Sequence, residues 1–138
     1  MNCRFVSGDG VFDPEYIRIG GEATEGAFIS YAPSAENIPT AREFIKAYTA
    51  KWGEVGPYSL FAYDATKVIL AAIEGAKTTE GFKVADYIHH TTFQVASGDV
   101  TFDNKGDPTS SPYVMWTVKG GKLTPLDAPV QAVHVETH

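Results

Sequence analysis

The Gly8-Asp9-Gly10 tripeptide sets one carboxylate between two residues that carry no side chain. A carboxylate presented this way accepts charge-assisted hydrogen bonds from a cationic group, such as the ammonium of a free amino acid. The run before it, Arg4-Phe5-Val6-Ser7, is short, apolar and β-favouring. The run after it, Asp13-Pro14-Glu15, has the chemistry of a helix start: Asp as N-cap, Pro at the first helical position, an acid in the first turn. Strand, turn and helix in that order put Asp9 at the C-terminal end of a strand, where open α/β sheets bind ligands. On residue types alone, a solvated turn aspartate is the simpler account of Gly-Asp-Gly.

Other chemistry fails on spacing. Gly8-Asp9-Gly10 could open a G-x-G-x-x-G phosphate loop, but Asp13 stands where the last glycine must pack closely. No Gly-x-Ser-x-Gly elbow occurs. His89 and His90 are neighbours at a helix end and point about 100° apart, so they are poor joint metal ligands. His134 and His138 fall near the C-terminus, where they offer adventitious metal binding at most. Asp103-Asn104-Lys105-Gly106-Asp107 lacks calcium-loop spacing and reads as a turn with glycine at positive φ. The single cysteine, Cys3, forms no internal pair and reads as a small strand residue rather than a nucleophile. No nucleophile, base and orienter can be assembled, so no catalytic residue, cofactor or metal is expected.

These residues need elements to hold them. The chain has 138 residues, enough for one ordinary domain, and is 43% hydrophobic and 20% charged. Its net charge of −6, with no Lys/Arg cluster, argues against nucleic acid as a partner. No stretch approaches the roughly 20 apolar residues that span a bilayer, and the first residues lack the pattern of an export signal. Gly20-Gly21 should end the first helix. Ala27 to Tyr31 reads as a strand and Pro33 to Pro39 as a loop. Thr40 with Glu43 fits a capping box. Phe44, Tyr48 and Trp52 then recur every fourth residue, a stripe read as core packing rather than ligand surface. The longest helix should run from Gly56-Pro57 to about Ala76. It is apolar over most of its circumference, through Leu60, Phe61, Val68, Ile69, Ala72 and Ile73, and is expected to be deeply packed. Another helix follows from about Gly81 to His90, with Phe82, Val84, Ala85 and Ile88 inward. Phe93–Val95, Asp99–Phe102 and Tyr113–Val118 are strand candidates, and Gly120-Gly121 turns the last of them into a hairpin with Lys122-Leu123-Thr124.

The ordered series carries a resemblance. Phe5 to Tyr16, then Gly20 to Phe28, Gly56-Pro57-Tyr58, Tyr63-Asp64-Ala65, Thr101 to Asp107 and Tyr113 to Trp116 resemble the second half of the leucine/isoleucine/valine-type solute-binding proteins of bacterial ABC importers. The likeness extends to about Leu126. It implies an α/β, Rossmann-like fold, a C-terminal fragment of the type I periplasmic binding fold. It also implies a leucine-like amino acid as ligand, an ABC permease as the parent protein's partner, and a periplasmic location. Asp9 matches the family's ammonium-binding acid, though Asp is one methylene shorter than Glu. Gly10 matches the point where backbone approaches ligand. Tyr58 matches an aromatic that lines the pocket, and reads equally as an ordinary helix-start aromatic. The family's carboxylate-binding residues lie in a first lobe upstream of what this chain contains.

The resemblance sets residues 1–126 as the binding-protein part and 127–138, which have no clear period, as a tail. The strand before Gly8 would sit at the end of a parallel sheet lacking its other members. Such an edge seeks a partner strand, so a homo-oligomer formed through it, domain-swapped or strand-exchanged, is expected. The alternative functions are a ligand-sensing module of a receptor or regulator, and a structural assembly without ligand.

Overall fold

The computed structural model describes residues 3–110 and 112–126. In chain order the elements are β1 (Val6–Ser7), α1 (Pro14–Gly20), β2 (Phe28–Tyr31), α2 (Arg42–Trp52), α3 (Ser59–Ala76), α4 (Gly81–His89), β3 (Phe93–Val95), β4 (Gly98–Val100), β5 (Val114–Lys119) and β6 (Lys122–Pro125). They divide into two units. Residues 3–33 and 112–126 make the first, and residues 34–110 the second.

The first unit is a four-stranded sheet in the order β1-β2-β5-β6. Phe28 and Ile29 pair with Val6 and Ser7 in parallel, whereas β2–β5 and β5–β6 are antiparallel. The sheet is therefore mixed, with β1 as an edge strand, rather than the parallel sheet expected. Gly120 and Gly121, at φ 59° and 70°, close the β5–β6 hairpin in the conformation that two-residue turns require. Ile29 and Tyr31 of β2 alternate inward and meet Trp116 and Val118 of β5, all four buried. The Trp116 indole N–H donates to the Ala32 carbonyl at 3.2 Å, so this large ring is buried with its polar atom satisfied. In α1, Asp13 is the N-cap, accepting the Glu15 amide at 2.8 Å, and Pro14 stands first, as read from the sequence. Glu15 grips Arg18 one turn on, which raises the guanidinium pKa further.

The second unit packs α3 and α4 against the β3–β4 hairpin. Val68, Ala72 and Phe93 form its buried centre, with Val84, Tyr87, Ile88, Val95 and Phe102 around them. A Cβ on Gly75 would run into the Tyr87 ring, so the absence of a side chain there lets α4 approach α3.

Several expectations fail in this unit. Only one stripe of α3 is buried, Leu60, Asp64, Val68 and Ala72, each four residues after the last. Ile69 and Leu70 are 50% and 59% exposed. Apolar composition gave the helix several faces able to pack, and a single face meets α4 and β3. Phe82, expected inward, is 90% exposed, and Ala85 is exposed as well. Phe82 lies on the side of α4 away from Val84 and Ile88, and Ala85 at the margin of the inward face. The Thr40–Glu43 capping box does not form. Pro39–Ala41 is already a 3-10 turn, and Ala41 takes the N-cap position of α2 with no side-chain cap. Pro39 pre-sets helical φ one residue ahead of Thr40 and moves the start. The expected tail, 127–138, lies outside the described residues.

Candidate functional site

Asp9 opens a 3-10 turn, Asp9–Val11, directly after β1. The Phe12 amide donates to the Asp9 carbonyl at 2.8 Å and closes that turn. Phe12 anchors it: its ring stacks on Tyr31 at 4.1 Å between centroids and meets Trp116 edge-on at 4.8 Å. The turn that carries Asp9 is thus pinned to the core of the sheet by a residue that the sequence reading did not single out. Asp9 and Gly10 are both exposed, and among the described residues, Gly10's chain neighbours aside, no heavy atom lies within 4 Å of where a Cβ on Gly10 would stand.

Tyr58 belongs to the second unit. It is the N-cap residue of α3 and 45% exposed. Asp9 and Gly10 are therefore held together by one turn of the first unit, and Tyr58 stands on the other unit.

The second unit also holds a groove of about 580 Å³, walled by Phe44, Tyr48 and Trp52 of α2 and Tyr63 of α3. The ring centroids are 5.5 Å apart for Phe44–Tyr48, 5.4 Å for Tyr48–Trp52 and 5.0 Å for Phe44–Tyr63. Ser59 donates to the Tyr48 hydroxyl at 3.2 Å. None of the residues of α2 is buried, and Trp52 is 64% exposed. The stripe read as core packing is instead the lining of an open surface. The period of four correctly aligned the rings on one face, but nothing in it says whether that face is covered.

Two carboxylates of the second unit brace backbone turns. Asp64 is buried, and its two oxygens accept the Ala96 and Ser97 amides, each at 2.9 Å, which holds the turn of the β3–β4 hairpin. In the sequence it read only as a break in an apolar helix, because its partners lie 32 and 33 residues away. Asp103 accepts the amides of Asp107 and Lys105 at 2.9 and 2.8 Å, and Gly106 has φ 90°. The Asp107 amide, then that of Lys105, hold the Asp103 carboxyl below the usual carboxylate range. This is the expected glycine turn, closed on its own backbone.

Among the described residues, no helix is long and apolar enough to cross a membrane, and no three His, Cys, Asp or Glu side chains converge as metal ligands.

Comparison with known proteins adds the family context. The periplasmic binding protein family profile matches residues 2–122. Leu/Ile/Val-binding protein homolog 2 of Brucella abortus is 32% identical over 123 residues, 88% of this chain and 33% of that protein. The leucine-, isoleucine-, valine-, threonine- and alanine-binding protein of Pseudomonas aeruginosa is 34% identical over 108 residues, 78% of this chain and 29% of its own length. The crystal structure of leucine binding protein LivK from Thermotoga maritima superposes with a TM-score of 0.75 at 34% identity. It covers 91% of this chain and 37% of that one. This chain spans about a third of the length of each of these relatives.

Proposed function

This chain belongs to the periplasmic binding protein family, and from that premise we propose that it is the C-terminal portion of the solute-binding component of an ABC importer for branched-chain amino acids. The observation that carries this reading is the 32% identity with a Leu/Ile/Val-binding protein homologue across 88% of the chain. The function is capture in the periplasm and delivery to a membrane permease, with no chemistry done on the ligand. In this reading Asp9 grips the ligand's ammonium group, the Gly10 backbone lies against the ligand, and Tyr58 walls its side chain. The exposed Asp9 carboxylate at the end of β1 is consistent with that role.

The test uses a hybrid in which this chain replaces the matching stretch of the Brucella abortus homologue. Leucine binding measured by calorimetry should weaken by about 10- to 150-fold in Asp9→Asn, the loss of a charge-assisted contact of roughly 1.5–3 kcal/mol. Unchanged affinity would remove Asp9 from the site. The 138-residue chain, about a third of the length of that homologue, should by itself bind leucine at millimolar strength or weaker. Micromolar binding by the monomer would refute that.

Self-association belongs to the same reading. Among the described residues β1 is paired with β2 alone, and Phe5 and Val6 beside that edge are exposed. The opposite edge strand, β6, is blunted by Lys122 and Pro125. Light scattering should report a dimer or larger species at high concentration, and a stable monomer there would count against it.

A further inference from the structure

We propose that the Asp9–Gly10 peptide bond is a site of spontaneous covalent modification, at which the chain rearranges through a succinimide to isoaspartate. The Gly10 amide nitrogen attacks Cγ of the protonated Asp9 carboxyl, and the amide hydrogen leaves with the carboxyl hydroxyl as water. Water then opens the ring. Opening at one carbonyl restores aspartate. Opening at the other carries the main chain through Cγ and leaves the α-carboxylate as the side group. A water leaves and a water returns, with no oxidant, reductant or other co-reactant.

Sequence and structure together select this bond. Asp9–Gly10 is the one Asp-Gly pair in the chain, and no Asn-Gly pair occurs. Attack is least hindered when the nitrogen belongs to a residue without a Cβ. Asp13 and Asp107 precede prolines, whose nitrogens have no hydrogen to give up. Asp64 is buried and committed to two amides, and Asp103 is held by its own turn. Asp9 and Gly10 are exposed, and among the described residues, Gly10's chain neighbours aside, no heavy atom stands within 4 Å of a Cβ built on Gly10. The φ of Gly10 lies outside the left-handed region, so the 3-10 turn does not demand glycine there. Its amide also precedes that of Phe12, the first donor the turn employs. The brake is conformational. Ring closure brings Cβ and the Gly10 nitrogen to the same side of the Cα–C bond, and the ψ of a 3-10 turn, roughly −20 to −30°, turns them apart. The turn must therefore open before it reacts. It is closed by the Phe12 amide on the Asp9 carbonyl at 2.8 Å and by the Phe12 ring against Tyr31 and Trp116, so Phe12 sets the pace. Isoaspartate lengthens the main chain by a methylene and shortens the side group by the same methylene. Where Asp9 grips a ligand, that change releases it. This consequence rests on the family reading above, and the modification itself does not.

The experiment ages the whole chain in warm neutral buffer and follows isoaspartate with an isoaspartyl-specific O-methyltransferase and a labelled methyl donor. An endoproteinase that cuts before aspartate but not before isoaspartate locates the change. Label should accumulate, and cleavage before Asp9 should fall in step with it. Gly10→Ala, for which the turn has room, should slow accumulation about tenfold or more, a barrier higher by about 1.4 kcal/mol. The chain unfolded in urea should react faster than the folded chain, with Phe12→Ala between them. Absence of isoaspartate at Asp9 overturns the proposal. So does accumulation that maps to Asp99, Asp103 or Asn104 instead, or that Gly10→Ala leaves unchanged. A folded rate equal to the unfolded one overturns the braking role of Phe12. In the hybrid with the Brucella abortus homologue, leucine sites counted by calorimetry should fall in proportion to isoaspartate. Full leucine occupancy after modification would leave the modification standing and would overturn only the ligand assignment of Asp9.

Discussion

Each unit builds a cluster of aromatic rings, and the two clusters end differently. In the first, Phe12 stacks on Tyr31 at 4.1 Å and meets Trp116 edge-on at 4.8 Å, and Tyr31 and Trp116 are buried, with the Trp116 nitrogen satisfied. In the second, Phe44, Tyr48, Trp52 and Tyr63 lie 5.0–5.5 Å apart along an open groove. The first cluster is drawn from a loop and two strands that are distant in sequence. The second comes from one helix face and its neighbour. Regular spacing within one element aligned rings without covering them, and closure came only where separate segments converged.

The largest expected effect follows from truncating one ring in each cluster. Trp116→Ala should destabilise the first unit by about 3–5 kcal/mol, the cost of a large buried side chain and its cavity. Trp52→Ala should cost less than about 0.5 kcal/mol in the chain alone, as an exposed surface change does. Urea unfolding followed by circular dichroism measures both. Equal losses would mean that the groove is closed in solution and would end the contrast.

A smaller effect is expected from Asp64→Ala. It leaves the Ala96 and Ser97 amides without their acceptor and should cost about 2–4 kcal/mol, localised to the second unit. Hydrogen exchange should accelerate at those two amides and leave β2 and β5 unchanged. Loss of protection in the sheet would show that the two units unfold together.

The smallest effect is the pH response of the Asp103 turn. Its carboxyl is depressed in the folded chain, so the stability it contributes is fully present above the unfolded value of about 3.9. That contribution is lost as pH falls through the lower folded value. The Lys105 and Asp107 amides should keep their chemical-shift dispersion through the unfolded value of about 3.9 and lose it only at lower pH. Asp103→Asn should show no such step, and a step that survives it would assign the titration to another group.

Locally encoded features were legible in the sequence. The Asp13-Pro14 helix start, the strand at Phe28–Tyr31 and the Gly120-Gly121 hairpin each depend on a few adjacent residues, and each was read correctly. The Thr40 capping box was misread because Pro39, equally local, competed for the same helix start and won. The exposure of Ile69, Leu70 and Phe82, the open face of α2, and the work of Asp64 all depend on what arrives from far along the chain. Periodicity carries no term for that. At the candidate site, the sequence indicated the turn bearing Asp9, but the anchoring role of Phe12 required knowing that β2 and β5 are neighbours.

The sheet of the first unit is built from stretches at 3–33 and 112–126, with the whole second unit between them. During synthesis β2 therefore leaves the ribosome long before β5, its antiparallel partner, exists. The intervening residues are contiguous and can close their own helical core while β1 and β2 wait as an incomplete ribbon. The Glu25 carboxylate, which takes the Gly120 amide at 2.8 Å and the Gly121 amide at 3.3 Å, makes one of the last native contacts to become available. A nascent chain stalled near residue 110 would expose Ile29 and Tyr31 to any chaperone that binds apolar strands.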